Sequence, residues 1–390
     1  MVNQPREHCC GCGACVAICP KSAIVMQESG CGYTYPSVDR AKCIECGLCD
    51  RICPEIKLPE LHHPLAVYAA CSTDSTELAT CASGGAATVL SREIIRRGGA
   101  VCGCSQKDYR TIRHIRVERE DDLELLKGSK YVQSDMSGIY SDIKRDLAAG
   151  REVLFVGTPC QVAALRGYLQ KPCDNLTTVD LVCHGVPSQA MLRDAVENNL
   201  RQEDNIFVNF RWKTQFGIQF GNSRRILKSQ PAQQNAYMTA FLSGLSYREN
   251  CHCCPYSRRE RTGDITIGDF WGLGQDTPTD IDIRRGVSLV MVNTDKGARL
   301  WAEVAGAFAT EERTIGEAVK YNWNLHDPSP RPASKELFLE TYTRSGLESA
   351  VRACSRRYRL ESTAVMRFVR RTPILNRAAS MAMRVIRRIF

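Results

Sequence analysis

"CCGCGACVAICP" (residues 9–20) and "CIECGLCDRICP" (residues 43–54) decide how the first sixty residues fold. Cys9, Cys12, Cys15 and Cys19 follow C-x2-C-x2-C-x3-C, closed by Pro20. Cys43, Cys46, Cys49 and Cys53 repeat the spacing, closed by Pro54. Two-residue gaps let three thiolates wrap one corner of an iron–sulfur cube, while the fourth cysteine, ahead of the proline, reaches the neighbouring cube. The spacing therefore assigns Cys9, Cys12, Cys15 and Cys53 to one [4Fe-4S] cluster, and Cys43, Cys46, Cys49 and Cys19 to a second. Gly11, Gly13 and Gly47 suit loops whose backbone must approach sulfur closely. An isolated C-x2-C pair would favour zinc; two complete runs, each ended by proline, favour iron and sulfur. Cys10 is left over and reads as a packed or partly exposed thiol.

A chain of 390 residues, 43% hydrophobic and 24% charged, suits two or three globular domains with at least one large core. Its 21 cysteines point to metal-bound thiolates in a reducing, cytoplasmic compartment. The opening "MVNQPREHCC" has no apolar signal region. No later stretch supplies the roughly 18 apolar residues of a spanning helix. The net charge of +9 is localised: residues 351–390 hold eleven Arg, no Lys and one Glu, a balance of +10, which leaves −1 for residues 1–350. A near-neutral body argues against a nucleic-acid partner.

Prolines 54, 59 and 64 mark a linker that carries His62 and His63, read as a solvated connector. Beyond residue 66 strands and helices alternate. "AVYAAC", "AVCGCS", "EVLFVG" and "LTTVDLVC" read as strands. "SGGAATVLSREIIRRGG", residues 137–149, "TPCQVAALRGYLQ" and "PSQAMLRDAVENNLRQ" read as helices, with Pro159 in a favoured first-turn position. This alternation predicts an α/β domain with a parallel or mixed sheet, whose ligands collect at the carboxyl ends of strands. Cys160 of "GTPCQ", Cys183 of "DLVCHGVPS", and Cys251 and Cys254 of "RENCHCCP" fall at such ends or in connecting loops. Spacing alone leaves zinc, a further cluster and unconnected buried thiols all open for them.

Residues 1–60 resemble the bacterial two-cluster ferredoxin module. Taken in order, "SGGAATVL", "KGSKYVQS", "GTPCQVAAL", "DLVCHGVPS" and "GDITIGDFWG" resemble the beta-subunit family of coenzyme F420 hydrogenases and dehydrogenases over residues 66–345. The resemblance implies a flavoprotein that binds FAD and one further [4Fe-4S] cluster, here behind a fused ferredoxin module. It implies Cys160, Cys183, Cys251 and Cys254 as ligands of this third cluster, with Cys253 as the alternative to one of them. It makes Ser83, Gly84, Gly85, Lys130, Tyr131, Gln133 and Ser134 candidate FAD contacts, together with Thr158 and a supporting His184. A lysine beside a flavin would favour the anionic reduced ring or pair with the pyrophosphate. Asp264, Asp269 and Trp271 are expected to shape a turn and core.

The implied activity is that of an oxidoreductase. Electrons would pass between a hydride-carrying small molecule at FAD, coenzyme F420 among the candidates, and the clusters, and on to a redox partner protein or ferredoxin. The alternatives are a ferredoxin-dependent reductase of a pigment- or polysaccharide-pathway substrate, and an electron-transfer subunit with no substrate chemistry of its own. "DIRRGVSLVMVNTDKGARLW" and "NWNLHDPSPRP" resemble the bacterial, polysaccharide-cluster branch. Residues 351–390 form an arginine-rich tail in which Pro373 separates two helical pieces and Met381, Val385 and Ile389 make an apolar stripe. Such a basic amphipathic helix suits an anionic membrane surface.

Overall fold

The computed structural model describes residues 5–200, 206–213, 215–222, 225–363 and 366. The N-terminal arm is built around the antiparallel pair β1 (Ile24–Glu28) and β2 (Thr34–Val38). A short helix flanks each end of this hairpin, Ala14–Ile18 before it and Leu48–Arg51 after it. Both helices start from a left-handed glycine, Gly13 at φ 72° and Gly47 at φ 70°. Open space surrounds both positions, so the backbone conformation rather than crowding demands glycine there. Each turn delivers the next cysteine of its run, Cys15 or Cys49, into the helix that follows.

The connector is less solvated than its composition suggests. His62 and Arg261 exchange both backbone hydrogen bonds at 2.9 Å, and the His62 ring meets Arg166 Nη1 at 3.1 Å. Backbone groups passing a sheet edge find partners there.

The body strands follow as β3 (Ala66–Ser72), β4 (Ala100–Gln106), β5 (Ile112–Val117), β6 (Val153–Gly157) and β7 (Leu176–Leu181). A separate antiparallel sheet holds β8 (Phe207–Trp212), β9 (Gln215–Gly221) and β10 (Ile226–Pro231). The chain then returns through β11 (Ile265–Asp269), β12 (Ser288–Val292) and β13 (Phe308–Arg313). The main sheet is mixed, with the order β13-β3-β12-β11-β7-β6-β4-β5. Only its centre, β11-β7-β6-β4, is parallel. The strands "VLFVG", "LTTVDL" and "SLVMV" are apolar or buried on both faces, as central strands covered on two sides must be. Helix Ala86–Arg96 buries Val89, Leu90 and Ile94 against one face, contributing roughly 2 kcal/mol each. On the other face Val67, Leu289 and Met291 meet Ala318 and Leu325. Between residues 206 and 231 the three strands β8–β10 close a second core of Phe210, Phe220, Tyr237, Phe241 and Phe338.

Asp180, at the end of β7, ties the centre together from a fully buried position. It accepts from Arg261 Nη2 at 3.2 Å, Thr262 N at 3.0 Å, Gly263 N at 3.0 Å and Thr266 Oγ1 at 2.5 Å. This carboxylate holds the loop that leads from Cys254 into β11.

Arm and body are closely joined. Gly167 brings its helix so near the arm that a Cβ there would lie 2.6 Å from the Ile52 carbonyl oxygen. The long helix Lys335–Cys354 breaks at Gly346, and Leu347, Ala350, Val351 and Tyr358 pack into the second core. The arginine-rich segment therefore begins as part of the body. The remainder of the expected tail, with Pro373 and the Met381/Val385/Ile389 stripe, lies outside the described residues. Among the described residues no helix is long and apolar enough to cross a membrane.

Candidate functional site

All 21 cysteines are free of disulfides. Cys9, Cys12, Cys15 and Cys53 come together: burial raises the Cys15 thiol, and the neighbouring Cys12, Cys9 and Cys53 raise it further. Burial likewise pushes Cys53 up to about 11, with Cys12 and Cys9 adding to it. Cys19, Cys43, Cys46 and Cys49 line a separate small cavity of about 20 Å³ beside Pro20 and Ile24. The Ala23 N–H donates to Cys19 Sγ at 3.3 Å. Each run thus sends its last cysteine to the other group.

The body forms a third quartet. Cys160 sits in the first turn of helix Pro159–Leu169, Cys183 follows β7, and Cys251 and Cys254 come from the loop after Arg248. Burial raises the thiols of Cys183, Cys251 and Cys254, and each is raised further by members of the same quartet. Thr158, which caps the helix, places Oγ1 3.2 Å from Cys160 Sγ. Cys253 is exposed and faces His8, 3.6 Å from its Nδ1.

Each of the three sets is four thiols with no imidazole or carboxylate among them, a donor set that fits a [4Fe-4S] cube. Among the described residues no three His, Cys, Asp or Glu side chains converge as ligands of a single ion would.

The body quartet opens onto a cavity of about 350 Å³. This size lies within the ordinary range of small-molecule sites. The cavity lies where β6, β7 and β11 end, the place expected of a ligand site on a parallel sheet. Ser83, Gly85, Lys130, Tyr131, Gln133, Ser134, Thr158 and His184 all line it. Gly84 instead packs into the sheet, where a Cβ would sit 2.2 Å from the Ala70 carbonyl oxygen and 2.5 Å from Ser288 N. Gly85, at φ 89°, leads into helix Ala86–Arg96, which has no side-chain cap. The first turn of that helix therefore offers N–H groups to the cavity, a setting that favours a phosphate.

The individual side chains are engaged in unequal ways. Burial lowers Lys130 to about 8, and its Nζ donates to the carbonyls of Leu126 (2.7 Å) and Lys127 (2.6 Å). Ser83 Oγ donates to the Val287 carbonyl at 3.0 Å. Tyr131 stacks on Phe241 at 4.5 Å and gives the cavity a planar apolar wall. Asp269 pairs with the buried Arg211, whose guanidinium lies over Phe216 (5.2 Å) and Trp271 (5.9 Å). Asp264 accepts from Thr178 N at 2.8 Å and belongs to the core, as expected of a turn-shaping residue. Burial lowers His184.

Sequence reasoning passes over the residues that fasten the arm beside this cavity. Arg248 is fully buried; its Nε donates to the Cys9 carbonyl (2.6 Å), Nη1 to Gln133 Oε1 (2.9 Å) and Nη2 to the Thr34 carbonyl (2.5 Å). Its guanidinium lies 4.3 Å from the centre of the Tyr35 ring. Tyr140 Oη donates to the Cys12 carbonyl at 2.8 Å, and Tyr33 Oη to the Ser246 carbonyl at 2.7 Å. An arginine three residues before "CHCC" is the one available signal, since a buried cation beside thiols needs several acceptors.

Fold and site together define an iron–sulfur protein with a small-molecule cavity at the end of a mixed sheet. Residues 8–55 match the 4Fe-4S dicluster domain. Residues 150–317 match the family of the C-terminal part of the coenzyme F420 hydrogenase/dehydrogenase beta subunit. Residues 150–317 are thus similar to the C-terminal part of this beta subunit, and a dicluster domain stands in front of them. Among solved structures it is similar to a chain of the F420-reducing [NiFe] hydrogenase complex from Methanosarcina barkeri. That match has 20% identity and a TM-score of 0.47, covering 76% of this chain and 94% of that one. No curated protein matches the sequence.

Proposed function

We propose that the protein is an FAD- and iron–sulfur-dependent oxidoreductase. It would hold two [4Fe-4S] clusters in the arm (Cys9, Cys12, Cys15, Cys53; Cys43, Cys46, Cys49, Cys19), a third on Cys160, Cys183, Cys251 and Cys254, and FAD in the cavity. The observation that carries this reading is that the body quartet and eight of the nine candidate flavin contacts line one cavity, with Cys10 and Cys12 of the arm on its wall. Bound there, a flavin supplies exchange between hydride and single electrons, and the clusters supply one-electron carriage.

The chain's own residues have defined tasks. The uncapped turn at Gly85 suits the pyrophosphate, and Tyr131 flanks a planar ring. Thr158 orients Cys160, and Lys130 holds a positive charge behind the wall at neutral pH. A small hydride carrier such as coenzyme F420, and a redox protein at the arm, are the corresponding partners. The described start of the tail packs on the body, so membrane association would rest on the residues after 363. Deleting residues 364–390 should then move the protein from vesicles of anionic lipid into the supernatant, and unchanged partitioning removes that partner.

Anaerobic purification with iron, sulfide and flavin counted per chain tests the main reading. Roughly twelve irons and one FAD are expected from three four-iron cubes and one flavin. About eight irons without flavin would leave only the dicluster arm. Turnover by the isolated chain with a soluble hydride donor separates an enzyme from an electron-transfer subunit.

A further inference from the structure

Among the described residues three arginines are buried: Arg211, Arg248 and Arg261. Two of them hold carboxylates, Arg211 that of Asp269 and Arg261 that of Asp180. Arg248 has no such partner among the described residues; Glu249, next in the chain, pairs with Arg331 instead. Its oxygen acceptors are the carbonyls of Cys9 and Thr34 and the Gln133 amide oxygen, all neutral. A guanidinium stays charged at any working pH. Buried without a counter-charge it is costly, so its balancing anion has to come from beyond the carboxylates of the chain. The guanidinium stands against the first cysteine loop. Its Nη2 lies 4.0 Å from Cys9 Sγ, and a Cβ on Gly11 would meet Cζ and Nη1 at 2.7 Å. Gly11 takes φ 67° there, and the second run fills the matching position with Glu45, at φ 55° and exposed. One loop therefore carries a buried cation at its four-thiol site, and the other an exposed carboxylate.

We propose that Arg248 is the counter-charge of the cluster held by Cys9, Cys12, Cys15 and Cys53, and makes it the more easily reduced of the two arm clusters. The proposal rests on the ligand sets given under Proposed function. Four thiolates make such a site an anion, more negative once reduced, and net charge is one of the levers on its potential. A fixed cation beside it favours the reduced state, and burial strengthens the attraction because little water intervenes. At Glu45 the sign is opposite, and solvent screens it. One electron enters from an added reductant such as dithionite, while Arg248 exchanges no bond and no proton. An electron in the arm would then rest on the site whose Cys12 reaches the cavity wall.

The Cys19/Cys43/Cys46/Cys49 group lies around a separate cavity and serves as an internal control. The test is a potentiometric titration of the anaerobically purified full chain, followed by electron paramagnetic resonance, for wild type, Arg248→Gln and Arg248→Lys. Cys46→Ser and Cys160→Ser chains, each without one of the other clusters, show which signal belongs to the Cys9 site. In wild type that site should titrate at a higher potential than the outer one; the reverse order overturns the proposal even if no variant folds. In Arg248→Gln it should be about tenfold less reduced at a fixed potential, a shift of about 59 mV for one electron, while the outer site moves far less. Arg248→Lys keeps the charge but not the fork. It should lose stability in urea unfolding, yet recover most of the potential. Equal drops in both variants would make hydrogen bonding rather than charge responsible, and overturn the proposal. No drop, or an equal drop at both arm sites, would overturn it as well. A wild-type chain with only about eight irons would instead sink the three-cluster reading and leave the two arm sites to be compared.

Discussion

The outer arm quartet and the body quartet are made of the same four thiols, but they are assembled in opposite ways. Cys19, Cys43, Cys46 and Cys49 come from two short loops joined by one hairpin, and Cys46 is exposed. Cys160, Cys183, Cys251 and Cys254 arrive from three segments up to ninety-odd residues apart and meet only because β6, β7 and β11 lie side by side. A site made of local turns depends on glycine backbone conformation. A site made of strand ends depends on the whole sheet, and so it can be buried and fused with a cavity.

Breaking one ligand in each region sharpens this contrast most. Cys46→Ser should remove about four irons and leave the other clusters and the flavin in place. Cys160→Ser should remove about four irons and also lower flavin content, because it lies on the cavity wall. Equal flavin content in both variants would show that the body quartet and the cavity are independent.

The next effect is on the body alone. Asp180→Ala leaves Arg261 a buried charge without its carboxylate, and should cost on the order of 4 kcal/mol in denaturant unfolding. A loss under about 1 kcal/mol would mean that the loop after Cys254 is held by packing instead.

The joint between the regions comes third. Arg248→Leu orphans the carbonyls of Cys9 and Thr34 and the Gln133 amide oxygen. A cost of about 3 kcal/mol is expected. Limited proteolysis should then cut near residues 57–61, where the connector leaves the arm. Protease resistance equal to wild type would show that Tyr140, Tyr33 and the Gly167 contact suffice.

The smallest effect is a pH dependence confined to the body. Burial lowers His114 from 6.5 to about 4, with Lys130 adding to the effect; its ring meets Ser134 Oγ at 2.9 Å and the Val156 carbonyl at 3.1 Å. The folded state resists protonation, so its stability is complete above pH 6.5 and declines as pH falls toward 4. The loss should reach about 2 kcal/mol by pH 5. Comparing urea unfolding of wild type and His114→Asn at pH 7 and pH 5 isolates this group from acid damage elsewhere. Parallel pH responses would remove it.

Much of this is legible in the sequence, for reasons that differ by residue. The strands "EVLFVG" and "LTTVDLVC" and the Pro159 helix stand out because apolar runs and first-turn proline act locally. The sheet β8–β10 does not, since its burial comes from Tyr237, Phe241 and Phe338 elsewhere in the chain. Ser83 and Gly85 read alike with Gly84, yet only the register of β3 against β12 turns Gly84 into the sheet.

Local sequence is enough to specify the dicluster arm, because metal-ligand spacing and left-handed glycines act over a few residues. It is enough also for the alternating elements of the body, through hydrophobic periodicity. Only long-range packing makes Arg248 clamp Cys9 and lets the body quartet share a cavity with Ser83 and Tyr131. These are contacts between segments whose separation along the chain carries no local signal, and they form only when burial of the two cores brings the strand ends and the arm together.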